Sequence, residues 1–468
     1  MIEEMKHFCG VFGVIGSPNA AKETRLGLYS LQHRGQESAG IVSTDGVDMF
    51  EHKGLGLVNE VFPDDKYLSI LKGESAIGHN RYSTTGSTLL VNAQPFLIKF
   101  HSGYIAAAHN GNLVNAEMLR KEMERDGSIF RTTTDSEIIL HLIAKSKYST
   151  IPEMVADAVQ KIEGAFSLLF LTGDKLIGVK DRHSFRPLVL GKKNNAWYLA
   201  SETCAFDIIG AKYIRSLKPG EMVVIDKNKM EPEFFYPFGN IEPANSASCI
   251  FEFIYFSRPD SVIFDAHVDN IRREMGRQLA KDHPANADIV ISVPDSSNTA
   301  ALGFSEESGI PFELGLIRNH YIGRTFIEPT QYDRENGVRL KYNPVRNVLE
   351  GKRLVVVDDS IVRGTTSRKL VYLLRDAGVA EIHMRIASPP IINPCFYGID
   401  TPDKKKLIGS QMSITEIKNF LGVDSIGYLS MESMLATKTL PNIGYCTACF
   451  GGEYPTAIED SLQKNKMG

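Results

Sequence analysis

Residues 354–367 read Leu-Val-Val-Val-Asp-Asp-Ser-Ile-Val-Arg-Gly-Thr-Thr-Ser, and this stretch decides the fold of the carboxyl half of the chain. Four apolar residues, three of them valine, predict a buried strand. The strand delivers two adjacent acids, Asp358 and Asp359, at its carboxyl end. A loop containing Gly364 then runs into Thr365, Thr366 and Ser367, hydroxyl residues of the kind that open a helix. In parallel sheets, ligands bind outside the carboxyl ends of the strands. A helix start adds free N–H groups and a positive dipole, which suit a phosphate. Two carboxylates at that place make sense only if the ligand also offers hydroxyls or a divalent cation. A sugar phosphate carrying Mg²⁺ meets both demands. Neither common nucleotide loop is present, since there is no G-x-x-x-x-G-K-[ST] and no G-x-G-x-x-G opening a helix after a strand.

On either side the same rhythm continues. Residues 289–293 and 382–386 are further apolar strands, and 367–377, with Leu370, Val371, Leu373 and Leu374, reads as a helix. Buried strands alternating with helices predict a parallel, doubly wound α/β sheet. Upstream, residues 237–248 (PFGNIEPANSAS) lack apolar periodicity and read as a linker. The front half differs. Short β-rich runs at 11–15, 104–108, 165–171 and 222–225, with a helix after Thr134-Asp135-Ser136-Glu137, predict an α+β unit of stacked sheets covered by helices.

The chain has 468 residues, enough for two or three domains, with 43% hydrophobic and 23% charged residues. These values exclude a disordered or fibrous protein, and no apolar run approaches the length of a membrane span. A net charge of −4 gives no electrostatic case for nucleic-acid binding. The opening MIEEMKHF has neither the basic region nor the apolar core of a secretory signal, so a cytoplasmic location is expected. Six cysteines are too few for a disulfide scaffold. Those that matter should be nucleophiles or metal ligands.

Two groups of residues carry that chemistry. Cys9 opens Cys-Gly-Val-Phe-Gly, followed by His33-Arg34-Gly35-Gln36-Glu37-Ser38, Gly78-His79-Asn80-Arg81-Tyr82-Ser83-Thr84, Asn92 to Phe96 and His109-Asn110-Gly111. A cysteine with a nearby base can attack an acyl carbon. Asn110 and the Gly111 backbone can stabilise the resulting oxyanion, while Arg81 and Asp135 can grip an α-carboxylate and an α-amino group. His33 and His109 lack metal-ligand spacing and read as structural, as does His183; Cys204 reads as packing, and Lys404 to Lys406 as a solvated charge run. The second group is Cys446-Thr-Ala-Cys449 with Cys249 and Cys395 far upstream. Such a set can bind zinc or an iron–sulfur cluster, and the spacing does not choose between them.

At this point several resemblances enter. Asp358 to Thr366 resembles the phosphoribosyl pyrophosphate (PRPP) loop of type I phosphoribosyltransferases. That likeness implies that Asp358 and Asp359 contact the ribose hydroxyls and help to place Mg²⁺, together with Ser296. It also implies that Ser360, Arg363, Gly364, Thr365 and Thr366 hold the 5′-phosphate. Residues 321–326, with Arg324 and the basic run Arg334, Arg339 and Lys341, resemble the segment of that family that closes over PRPP and neutralises the departing pyrophosphate. The front motifs resemble the N-terminal-nucleophile (αββα) glutamine amidotransferase domain, in which the nucleophilic cysteine is the first residue of the mature chain and its α-amino group is the base. This implies a propeptide at 1–8, a glutaminase domain at 9–240 and a phosphoribosyltransferase domain at 249–468.

The surroundings of Cys249, Cys395, Cys446 and Cys449 resemble the [4Fe–4S] ligands of one branch of the PRPP amidotransferases. The whole order of motifs is similar to that family. It implies a pentosyltransferase that converts glutamine, PRPP and water to 5-phosphoribosylamine, glutamate and pyrophosphate in purine synthesis. Feedback by purine nucleotides and a homotetramer are further implications. One departure stands at 317–321, where Arg318 and His320 replace an expected Lys and Arg, which puts phosphate and nucleotide contacts there in question. Two rivals, a non-enzymatic PRPP-sensing regulator and a different glutamine-dependent synthase, are disfavoured by the intact glutaminase motifs and by the 358–366 string respectively.

Overall fold

The computed structural model describes residues 9–82, 89–229, 231–319, 339–459 and 467. In the front half, alternating strands build two antiparallel sheets. One runs in the spatial order Lys212–Ser216, Val189–Lys193, Ala196–Ala200, Gly10–Ile15, Ser75–Arg81, Ser38–Thr44, Met49–Leu55. The other runs Pro232–Phe235, Met222–Asp226, Lys175–Lys180, Gly164–Leu171, Gly103–Leu113, Phe96–Phe100. Every strand of the pair Gly10–Ile15 and Gly164–Leu171 is buried along its whole length, as expected where two sheets stack face to face. Val11, Ile15 and Ile77 of the first sheet meet Ala106, Leu169 and Leu176 of the second in one core. The helix Ala20–Ser30 covers the first sheet, and Ser136–Lys145 and Ile151–Val159 cover the second. The result is the expected αββα layering.

The helix after the Thr134–Glu137 cluster is present at Ser136–Lys145, but Asp135 does not cap it. Its carboxylate turns away to accept the Leu113 backbone N–H at 2.9 Å. Glu137 instead accepts from the Arg131 and Thr132 backbones, which folds the preceding loop onto the helix.

In the back half a four-stranded sheet, all parallel, runs Ile289–Ser292, Arg353–Asp358, Glu381–Ile386, Ser425–Tyr428. The helices Val268–Asp282, Asn298–Ser308 and Thr365–Asp376 pack on it through two apolar cores. This is the predicted doubly wound α/β unit. The linker stretch ends in Ser246, Ala247 and Ser248, which are buried rather than free: the Ala247 N–H donates to the His183 carbonyl at 2.6 Å. No helix among the described residues is long and apolar enough to cross a membrane.

Candidate active sites

Cys9 sits immediately before the strand Gly10–Ile15, buried to 8% exposure, with its thiol 3.6 Å from the Tyr82 carbonyl. Burial pushes the thiol up to about 11; Arg81 opposes that rise, while the charges of Asp135 and Glu37 add to it. A thiol so held is neutral near pH 7 and needs a base to act as a nucleophile. Arg81 ends the neighbouring strand Ser75–Arg81 and is buried. Asp135, also buried, lies 3.8 Å from His109 Nδ1. His109 is held by Ser136 Oγ at 2.9 Å and by Gln94 Oε1, which accepts its backbone N–H at 2.8 Å.

Asn110 follows on the second sheet, between His109 and Leu113, which both touch Asp135. Its side-chain Oδ1 and Nδ2 are both buried and have no hydrogen-bond partner among the described residues. Buried polar atoms are nearly always paired, and no described residue pairs with this amide. Gly111 has φ +155°, and a Cβ there would stand 1.9 Å from the Ala165 carbonyl oxygen, so any side chain would push this strand off its neighbour. His33 is tied to Glu202 at 2.7 Å and Cys204 lies buried against Ser30, in keeping with structural roles.

The second site forms where the strand Arg353–Asp358 ends. Ser296 Oγ donates to Asp359 Oδ2 at 2.5 Å, and Ser360 Oγ to Asp359 Oδ1 at 2.8 Å. Burial raises both carboxyls above their usual range, and their mutual repulsion raises Asp358 further. Ser297, which the sequence reading passed over, bridges the two acids at 3.3 Å each. Lys341 stands in the same field: burial brings it down to about 8 against the pull of Asp358 and Asp359. Gly364, at φ +77°, lets the loop enter the helix Thr365–Asp376, and a Cβ on it would meet Ile408 Cδ1 at 2.6 Å. Arg363, Thr365 and Thr366 follow one another along this loop and first turn. Arg324, Arg334, His320, Ser83 and Thr84, like residues 1–8, lie outside the described residues. Arg339 is exposed and pairs with Asp376, at the far end of that helix from the acid pair. Arg318 pairs with Asp295 at 3.0 Å.

Cys249, Cys395, Cys446 and Cys449 all line one pocket, walled by Phe185, Phe251, Tyr397 and Tyr454. Ser248–Cys249 and Tyr445–Cys446 pair as parallel strands, with Cys249 opposite Cys446. None is in a disulfide. Burial pushes Cys249 up to about 11 and drives Cys449 well above the ordinary thiol, with the other three sulfurs adding to it. No three metal-binding side chains form a ready-made ligand group among the described residues. The donor set nevertheless suits a soft metal: four sulfurs outside any disulfide, from three chain segments, line one pocket.

Sequence reading also passed over a buried cluster between the two halves, Arg34, Arg186, Glu202 and Glu252. The available signal was Glu252 standing alone in the apolar run Ile250-Phe251-Glu252-Phe253-Ile254.

A stacked-sheet glutaminase fold joined to a parallel phosphoribosyltransferase sheet defines a glutamine-dependent amidotransferase that works on a phosphoribosyl substrate. Comparison with known proteins agrees. A family model described as a glutamine amidotransferase domain matches residues 79–207. Amidophosphoribosyltransferase 1 of Arabidopsis thaliana, a chloroplastic enzyme, is 50% identical over 468 residues, covering 100% of this chain and 81% of the relative. The Bacillus subtilis amidophosphoribosyltransferase is 48% identical over 462 residues, covering 98% and 96%. A solved structure of glutamine PRPP amidotransferase from B. subtilis, complexed with ADP and GMP, superposes with a TM-score of 0.90 at 47% identity, covering 97% of this chain and 98% of that one. The chain belongs to the amidophosphoribosyltransferase family.

Proposed function

We propose that the family's reaction, glutamine, PRPP and water to 5-phosphoribosylamine, glutamate and pyrophosphate, is divided here between Cys9 and the Asp358–Asp359 site. Cys9 Sγ attacks the glutamine amide carbon; ammonia leaves, and water releases glutamate from the thioester. Because the thiol is held at about 11, the proton goes to a base. The α-amino group of Cys9, with an ordinary pKa of ~7.7–8.0, fits that task once residues 1–8 are removed. Asn110 Nδ2 and the Gly111 N–H donate to the oxyanion, Arg81 holds the α-carboxylate and Asp135 the α-ammonium. Full-length mass in a fully glutamine-active preparation would contradict the removal of 1–8.

Ammonia then passes to the second site, sheltered from protonation by bulk water, and displaces pyrophosphate at ribose C1. Mg²⁺ held by Ser296, Asp358 and Asp359 would supply positive charge to the pyrophosphate. Lys341 and Arg324 add to that charge, while Ser360, Arg363, Gly364, Thr365 and Thr366 bind the 5′-phosphate. A [4Fe–4S] cluster held by Cys249, Cys395, Cys446 and Cys449 would serve as a structural cross-link. Purine nucleotides fit as feedback inhibitors, supported by the ADP and GMP in the B. subtilis relative. A cytoplasmic homotetramer completes the reading.

The observation that carries the front-half assignment is the buried amide of Asn110, unpaired among the described residues. The test is Cys9→Ala assayed with glutamine and, separately, with ammonium salt. Glutamine-dependent product should vanish while ammonia-dependent product persists; loss of both contradicts the division.

A further inference from the structure

The strand Gly103–Leu113 outruns one of its neighbours. Its pairing with Phe96–Phe100 ends at Phe96 opposite Ala107, while its pairing with Gly164–Leu171 continues to Leu113 opposite Gly164. From His109 onward, side chains take over the vacated edge. Gln94 Oε1 accepts the His109 N–H at 2.8 Å, His79 Nε2 meets the His109 carbonyl at 2.9 Å, and Asp135 Oδ2 accepts the Leu113 N–H at 2.9 Å. In an antiparallel sheet the N–H groups of alternate residues point to the same edge. The Gly111 N–H, midway between those of His109 and Leu113, therefore points to this edge as well. Side chains hold the backbone on either side of it.

His79 reaches the His109 carbonyl from the other sheet. It stands two residues after Ile77, which belongs to the core between the sheets, and two before Arg81, so the three share one face of the strand Ser75–Arg81. The side chain is fully buried, and burial brings its ring down to about 3, so it is neutral near pH 7. A carbonyl can only accept, so Nε2 carries the ring proton and donates it to His109. That leaves Nδ1 a bare acceptor, buried and with no hydrogen-bond partner among the described residues. An apolar side chain would avoid the unpaired nitrogen; the histidine is there for the single bond it donates. Gln94 is held as firmly, since its Nε2 donates to Ser136 Oγ at 3.1 Å and Ser136 Oγ lies 2.9 Å from His109 Nδ1.

We infer that His79 and Gln94 are positioning residues for glutamine hydrolysis: by holding the carbonyl and the N–H of His109, they aim the Asn110 side chain and the Gly111 N–H at the oxyanion. This rests on the oxyanion role proposed above for Asn110 and Gly111. Donors of this kind work by being in place before the reaction, and a misplacement on the order of 1 Å costs about 10²-fold. They act on the charge that develops as Cys9 Sγ adds to the amide carbon, not on bound glutamine, so kcat carries the effect and KM does not.

The test uses the full chain. Glutamate release from glutamine gives kcat and KM, and product formation from PRPP and ammonium salt reports an intact fold. His79→Leu removes the donor and should lower kcat at least about tenfold, with KM within about twofold of the parent. His79→Gln, whose Nε2 can serve the same carbonyl, should bring kcat back to within about threefold. Gln94→Leu removes the acceptor and should act in the same direction as His79→Leu, and ammonia-dependent product formation should stay within about twofold throughout. Should His79→Leu not fold, Gln94→Leu decides; if neither folds, both residues are merely structural and the inference falls. Undiminished kcat in the folded leucine variants overturns it, as does a His79→Gln variant no better than His79→Leu. Asn110→Ala, run alongside, separates the two readings. If it too leaves kcat unchanged, the oxyanion assignment falls and this inference with it; if it alone lowers kcat, only this inference falls.

Discussion

Replacing Asn110 with alanine separates stability from catalysis. Both polar atoms of this side chain are buried without a partner among the described residues, and each such atom costs a fold ~1–3 kcal/mol. Alanine removes that cost. The hole it leaves, on the order of 40 Å³, costs about 1 kcal/mol at ~24 cal/mol per Å³. The net expectation is a variant more stable than the parent by about 1–5 kcal/mol, whereas an ordinary buried, hydrogen-bonded asparagine would lose stability. In the role proposed for Asn110 the same change removes an oxyanion donor, which costs about 10²–10³ in rate. Urea unfolding midpoints give the first quantity and steady-state glutamate release the second, with ammonia-dependent product formation as the control. A destabilised variant with undiminished glutamate release refutes the reasoning.

Other outcomes follow from the second site and the cysteine pocket. The Asp358 carboxyl has its pKa raised by burial and by Asp359, so it binds its proton more tightly in the fold than in the unfolded chain. The metal-free fold therefore loses stability as pH rises from the unfolded value of ~3.9 through the higher folded one. Asp358→Asn in chelator should unfold at higher denaturant than the parent at pH 7, with the difference closing towards pH 4, while PRPP turnover is lost. Gly364→Ala forces a Cβ to 2.6 Å from Ile408 at φ +77°, so KM for PRPP in the ammonia-dependent reaction should rise about tenfold or more, with glutamate release in the absence of PRPP unchanged. Cys449→Ser should lower bound iron and thermal stability together; full metal content with unchanged melting contradicts the four-cysteine assignment.

Much of the architecture was legible because it rests on local patterns. The valine run before Asp358 announces a buried strand, observed at Arg353–Asp358. The helix after it begins at Thr365, two residues earlier than apolar periodicity suggests, because Gly364 in the left-handed region serves as its cap. Long-range partners were not legible. Asp135 looks like a helix cap in sequence, yet its oxygens go to Leu113 and towards His109, brought near by sheet pairing. Arg34 and Glu252 are 218 positions apart, and nothing in the run around either residue names the other. Ser297 was hidden for a simpler reason: it stands beside an equally plausible serine, and only the geometry shows it bridging both acids.

The most direct test of the central claim is glutamate release from glutamine by anaerobically purified protein, measured with and without Mg²⁺–PRPP. The account predicts strong stimulation by PRPP, since it places both half-sites in one chain. Equal rates in the two tubes would contradict it.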